Sequence, residues 1–189
     1  MSVAAWVDGE PIDAADIDER LRRLRSRDRA RSLPAAESRE GRQLRRWVAQ
    51  VAVVERLCEH ALAESCSEPH GAPAPDTTND PWSGTPSRAD AAALGSIVAA
   101  AWTDNPAVAR AAALLTADVA LSSEQRRRAA ALAATDDGGT AWSLDELAAS
   151  ARLETFARWL ARATHERVRL AEGYEHPGDA SQPDNRHEH

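Results

Sequence analysis

The densest chemistry in this 189-residue chain lies at its C-terminal end, where four of the six histidines (His165, His176, His187 and His189) fall. His187 and His189 have His-x-His spacing, and Asp179, Asp184 and Glu188 sit among them. Imidazole and carboxylate ligands in this pattern suit zinc, nickel or copper. No strict metal motif is present, however, and a polar chain end is commonly solvated or docked on the body of a protein. Two readings follow for residues 173–189. One is a transition-metal site built from His176, Asp179, Asp184, His187 and His189. The other is a tail that needs no cofactor and docks through Tyr174.

Nucleophilic chemistry finds little support. All basic residues are Arg and none is Lys, which removes Schiff-base catalysis and a Walker-A phosphate loop. No Gly-x-Ser-x-Gly occurs; Gly95-Ser96 runs on into Ile97-Val98 of an amphipathic helix. Cys58 and His60 are two apart, so on a helix they point to different faces. Cys58 and Cys66 are about 12 Å apart on a continuous helix, too far to bridge, and read as buried free thiols. His165 reads as a helix-end histidine favoured by the dipole.

Charge narrows the partners. The net charge is −7, which argues against a nucleic-acid surface. The Arg runs at 20–31 and 126–128 are diluted by Asp and Glu and read as solvated faces. No apolar run approaches the ~18 residues of a membrane helix. The opening Met-Ser-Val-Ala-Ala-Trp-Val-Asp-Gly lacks a basic region followed by an apolar stretch. A cytoplasmic protein with no membrane or nucleic-acid partner is the expectation.

The elements that must position these residues are mostly helices. Val3–Val7 reads as a short strand ending in an Asp8-Gly9 turn, with Asp13 as the N-cap of a helix carrying Ile17, Leu21 and Leu24. A long helix begins near 32–37 and runs to about Ser65, with Leu44, Trp47, Val48, Val51, Val54, Leu57, Cys58, Ala61 and Leu62 as a wide apolar stripe. Five prolines make 66–88 a loop in which Trp82 could pin the chain to the body. Residues 91–102 read as one helix. Asn105-Pro106 caps the next, through Leu115. Residues 117–121 alternate and are expected to be extended. Ser122 to Gln125 and Ser143 to Glu146 are capping boxes, separated by a turn at 136–139. The last helix carries Leu147, Leu153, Phe156, Ala157, Leu160 and Ala163, and Val168 and Leu170 read as a strand. Since an isolated strand leaves its backbone groups unsatisfied, the two terminal strands are expected to pair. The expected fold class is mainly α: one helical domain over 1–172, followed by the tail at 173–189.

Six of the eight aromatic residues are Trp. Large rigid rings supply contact area at low entropic cost, so Trp47, Val51, Trp102, Phe156 and Trp159 are candidate walls of a groove for a peptide segment. Core packing is the alternative for each.

The sequence from Val7 to Asp18, Val-Asp-Gly-Glu-Pro-Ile followed by an Arg/Leu helix, resembles the opening of SurA-like and PrsA-like foldases, where V-N-G-x-x-I forms a strand and turn before the first chaperone helix. Residues 42–64 resemble their next, long amphipathic helix, and 117–128 the V-x-V-S-x-E-E-V entry to a further one. The run from Phe156 to Leu160 and on through Gly173-Tyr174-Glu175-His176-Pro177-Gly178-Asp179 and Gln182-Pro183-Asp184-Asn185 is similar to the ends of some actinobacterial parvulin-type isomerase homologues. Such relatives place a catalytic domain of roughly a hundred residues before the final helix. Here only 129–143 fill that gap, with no His, Cys, Phe or Met. The resemblance therefore implies a SurA-like helical protein without the parvulin module. It would bind a protein or peptide client and have no catalytic residue. A metal-binding enzyme or accessory protein and a dimeric scaffold are the alternatives.

Overall fold

The computed structural model describes residues 2–26, 33–67, 86–135 and 144–179. Trp82, the turn at 136–139, Ser143, Asp184, His187 and His189 lie outside the described residues. Among those described, the chain is mainly helical, with a small three-stranded antiparallel sheet.

The sheet is built from both ends of the chain. Strand β1 (Val3–Val7) turns at Asp8-Gly9 and returns as β2 (Glu10–Asp13). The turn residues have φ of 53° and 84°. Positive φ at both positions of a two-residue loop is the type I′ pattern, whose twist suits a hairpin. The return strand is an addition to the sequence reading, which saw only a turn there. Pro11 sits on this edge strand, where its missing N–H costs no ladder bond. The terminal strands pair as expected: β3 (Val168–Leu170) lies antiparallel to β1, with Ala5 opposite Leu170 and Val7 opposite Val168. The strand order β2-β1-β3 puts β1 in the middle, with both edges satisfied.

Helix α1 (Ala14–Arg25) starts directly from β2 and buries Ala14, Ile17 and Leu21. Asp13 occupies its N-cap position with extended dihedrals but makes no side-chain cap bond. Helix α2 (Arg39–Ser67) is the axis of the molecule. Every residue from Val48 to Glu55 is buried, so this stretch is covered on all sides. The sheet, α1, α4 (Ser96–Asp104), α5 (Pro106–Leu115) and α7 (Leu144–Arg167) all pack on it.

The expected single helix over 91–102 is two. Helix α3 (Arg88–Leu94) ends at Gly95, whose φ of 82° only glycine adopts freely, and α4 starts at the next residue. Apolar periodicity runs through the break: Leu94 before it and Ile97 and Val98 after it all pack half-buried against the core. Asn105 caps α5 as expected: its Oδ1 accepts from the Ala107 N–H at 2.9 Å, and Pro106 takes the first turn. Residues 117–121 are not a strand. Helix α5 ends at a Thr116–Asp118 turn, and among the described residues no strand pairs with the alternating run. The capping box at Ser122 is present in both directions, Ser122 N–H to Gln125 Oε1 at 2.8 Å and Gln125 N–H to Ser122 Oγ at 3.1 Å. It opens α6 (Ser123–Thr135).

Helix α7 inserts Leu153, Phe156, Leu160 and Ala163 into the core at helical spacing. Phe156 is fully buried between two tryptophans. Trp102 meets it edge-on at 5.9 Å and Trp159 stacks on it at 5.9 Å. Such aromatic pairs add roughly 0.5–1.5 kcal/mol beyond area burial. Replacing the shared ring should therefore be costly. Phe156→Ala is expected to lower unfolding free energy by about 3–5 kcal/mol, measured by urea denaturation with Trp fluorescence. A loss below about 1 kcal/mol would show that the triad does not organise the core.

Candidate functional site

The sequence candidates divide into two groups. Trp102, Phe156 and Trp159 form the aromatic stack of the core just described. Trp47 and Val51 lie on α2 and line a cavity of about 350 Å³ with Arg20, Arg23, Leu24, Val48, Glu55, Asp104 and Asn105. This groove exists because α1 and the α4–α5 corner both lean on α2 without meeting over residues 47–55. Leu24, Trp47, Val48 and Val51 give it an apolar floor. Trp47 is fixed there by its indole N–H, which donates to Ser96 Oγ at 3.2 Å.

The polar rim follows from one buried carboxylate. Glu55 faces inward on α2, and Arg20 of α1 bends back to donate to it at 2.5 Å. Reading the Arg run as solvated is thus corrected at Arg20, which is half-buried in this ion pair. The carboxylate beside it holds the Arg20 guanidinium further into its charged range. A second cavity of about 230 Å³ continues past the pair, lined by Ile12, Asp16, Arg56 and Glu59 together with Arg20, Arg23 and Glu55. Asn105 links the far wall to α2 by donating from Nδ2 to Glu59 Oε1 at 3.0 Å. The polar residues buried on α2 (Arg46, Gln50 and Glu55) were missed in the sequence reading. Their signal was polar side chains interrupting an apolar stripe, each needing a partner.

Two of those partners belong to the tail. Arg46 Nε donates to the Gly173 carbonyl and Gln50 Nε2 to the Tyr174 carbonyl, each at 3.3 Å. Tyr174 is buried, with the Arg45 guanidinium 5.3 Å from its ring centre. The docked reading of the tail therefore holds for residues 173–179, with Tyr174 as its anchor. Of the metal candidates, His176 and Asp179 share one turn: the Asp179 N–H donates to the His176 carbonyl at 2.9 Å, and the Gly178 N–H to His176 Nδ1 at 3.0 Å. The other three candidates are outside the described residues. Among the described residues, no three His, Cys, Asp or Glu side chains are grouped to hold a metal ion.

A third cluster joins hairpin, α2 and α7. Arg167 grips Asp8 with two bonds, Nε to Oδ1 at 2.8 Å and Nη2 to Oδ2 at 2.6 Å, and also donates to Glu64. His60 Nδ1 lies 2.7 Å from Asp8 Oδ2 and its Nε2 3.3 Å from Glu10. A His–Asp pair can serve in acid–base catalysis, but here both carboxylate oxygens are held by Arg167 and the far imidazole nitrogen faces a second carboxylate. No thiol nucleophile is at hand: Cys58 is buried away from His60, and burial pushes its thiol up to about 12. Cys66, by contrast, is exposed, so only one of the two cysteines is a buried thiol; both are free. The arrangement fastens the chain ends together.

Comparison with known proteins gives one match. A family of unknown function (DUF7158) matches residues 3–40, which span the hairpin, α1 and the entry to α2. No curated protein and no solved structure matches the chain.

The fastener titrates in a defined direction. Arg167 and His60 hold the Asp8 carboxyl down at about 2 from 3.8. A depressed carboxylate stabilises the fold above its unfolded pKa and loses that contribution as pH falls through its folded value. Asp8 is one-third exposed, so solvent screening limits the contribution to roughly 1 kcal/mol. Asp8→Asn should destabilise the protein by about that much at pH 7 in thermal or urea unfolding. The difference from the native chain should fade between pH 4 and pH 2. A difference independent of pH would show that lost packing, not charge, is responsible.

Proposed function

We propose that the protein is a non-catalytic, SurA-like peptide-binding protein that uses the groove between α1, α2 and the α4–α5 corner to hold an apolar side chain of a protein client. The observation that carries this reading is the groove itself, an apolar floor with Trp47 at its centre inside a charged rim. Two facts of the fold support the SurA-like side of the reading. The hairpin and α1 stand where the resemblance sets the strand, turn and first helix, and the strand after the last helix returns to that hairpin. Only residues 116–143 separate α5 from α7, far fewer than an isomerase domain of ordinary size needs. On this reading the chain retains the holding function and has no prolyl-isomerase activity.

Binding would follow the usual pattern of a groove with one anchor. A client residue buries its apolar surface against Trp47, Leu24 and Val51, while the rim side chains exclude water around it. Affinity should then depend on Trp47 far more than on any rim residue. Fluorescence anisotropy with a fluorescein-labelled unstructured peptide carrying a central Leu-Phe-Leu run tests this. Binding is expected for the native chain, and Trp47→Ala should weaken it about tenfold, roughly 1.4 kcal/mol. The protein should also slow aggregation of a heat-unfolded reporter enzyme, and a prolyl-isomerase assay should read zero. Absence of both peptide binding and aggregation suppression would overturn the proposal, as would clear isomerase turnover.

A further inference from the structure

The two cavities along α1 and α2 share Arg20, Arg23 and Glu55 and so lie on either side of the Arg20–Glu55 pair, a trench with an apolar end and a charged end. Its charges can be paired off. Arg20 is matched by Glu55 at 2.5 Å. Arg23 lies 3.3 Å from Glu19, a carboxylate it shares with Arg22. Arg56 is matched by Glu59 at 3.5 Å and Glu10 at 3.6 Å. The lining carboxylates left over are Asp104, at the apolar end, and Asp16, at the other. Neither makes a hydrogen bond or ion pair among the described residues, and both are exposed. Asp104 acts on Arg20 only at longer range.

Each cation of the trench thus has a carboxylate partner while Asp104 and Asp16 have none among the described residues, and the lining carries four carboxylates against three guanidiniums. The surrounding protein adds to this field, with a net charge of −7. Complementary charge steers a ligand to a site and sets its orientation more than it adds raw affinity. An acidic segment would meet Asp104 or Asp16 and find its natural partners occupied.

Resting on the groove reading above, we infer that the client segment is a basic one: an extended peptide with an apolar residue for the Trp47 floor, flanked by Arg or Lys side chains that reach Asp104 and Asp16. The apolar anchor supplies most of the affinity, and the two aspartates select for cationic flanks.

Three fluorescein-labelled peptides of one length, sharing a central Leu-Phe-Leu run with Arg, Ser or Glu flanks, test the inference by anisotropy with the full chain. At low salt the basic peptide is expected to bind about tenfold tighter than the acidic one. The gap should narrow at 0.5 M NaCl. Asp104→Asn and Asp16→Asn should each weaken the basic peptide about threefold and leave the neutral one unchanged. Asp118→Asn, an exposed site outside the trench, should change neither. Equal binding of all three peptides, tighter binding of the acidic one, or an equal loss in the Asp118 variant would overturn the inference. Those outcomes would leave the groove standing if Trp47→Ala still weakened every peptide. No binding by any peptide would overturn both.

Discussion

Helix α2 cannot exist alone in water. Its middle is apolar around its whole circumference, and a helix of that kind is stable only when other elements enclose it. The sheet, α1, the α4–α5 pair and α7 are best understood as that enclosure. Each contributes its own apolar stripe to one side of the axis. Where two of the covering elements diverge, the axis is left with an open strip. The groove at Trp47 is this strip, so the candidate site is a by-product of how the central helix is covered.

Burying an axis this thoroughly also buries any polar residue it carries. Glu55, Gln50 and Arg46 each need a partner, because an unmatched polar group in the core costs about 1–3 kcal/mol. Their partners come from distant parts of the chain: Arg20 of α1 for Glu55, the Tyr174 carbonyl for Gln50 and the Gly173 carbonyl for Arg46. Such bonds add little net stability, but they are selective about placement. An apolar face accepts many registers of a packing helix, whereas a buried carboxylate accepts only the one that brings a guanidinium to it. The polar residues of α2 therefore fix where α1 and the C-terminal segment sit, and with them the width of the groove.

Much of this was legible before the structure. The apolar stripe at 44–62, the cap at Asn105, the box at Ser122 and the anchor at Tyr174 all carry local or periodic signals that tertiary context does not override. The pairing of the terminal strands was legible for a different reason: backbone groups need partners, and the strand candidates lay only at the ends of the chain. What could not be read was of two kinds. The break at Gly95 was hidden because two helices sharing one inward face keep the period of one. The roles of individual residues were hidden because they depend on partners far away in sequence. Arg20 looks solvated until Glu55 is placed opposite it. Trp102 and Trp47 look alike as sequence, yet one closes the core and the other floors a groove. Likewise, the alternation at 117–121 allowed an extended run, but alternation alone does not make a strand without a partner to form a ladder.

The sheet has a consequence for how the chain comes into being. Its central strand takes one neighbour from the adjoining hairpin and the other from residues 168–170, made far later. A ribosome releases the beginning of the chain long before that second neighbour exists. Until residues 144–170 are made, the hairpin has one open edge and α2 lacks the cover of α7. Contacts of such sequence separation form slowly even in a released chain. The sheet is thus complete only once residues 168–170 have emerged, and until then the nascent chain carries its own strand edge and apolar axis exposed.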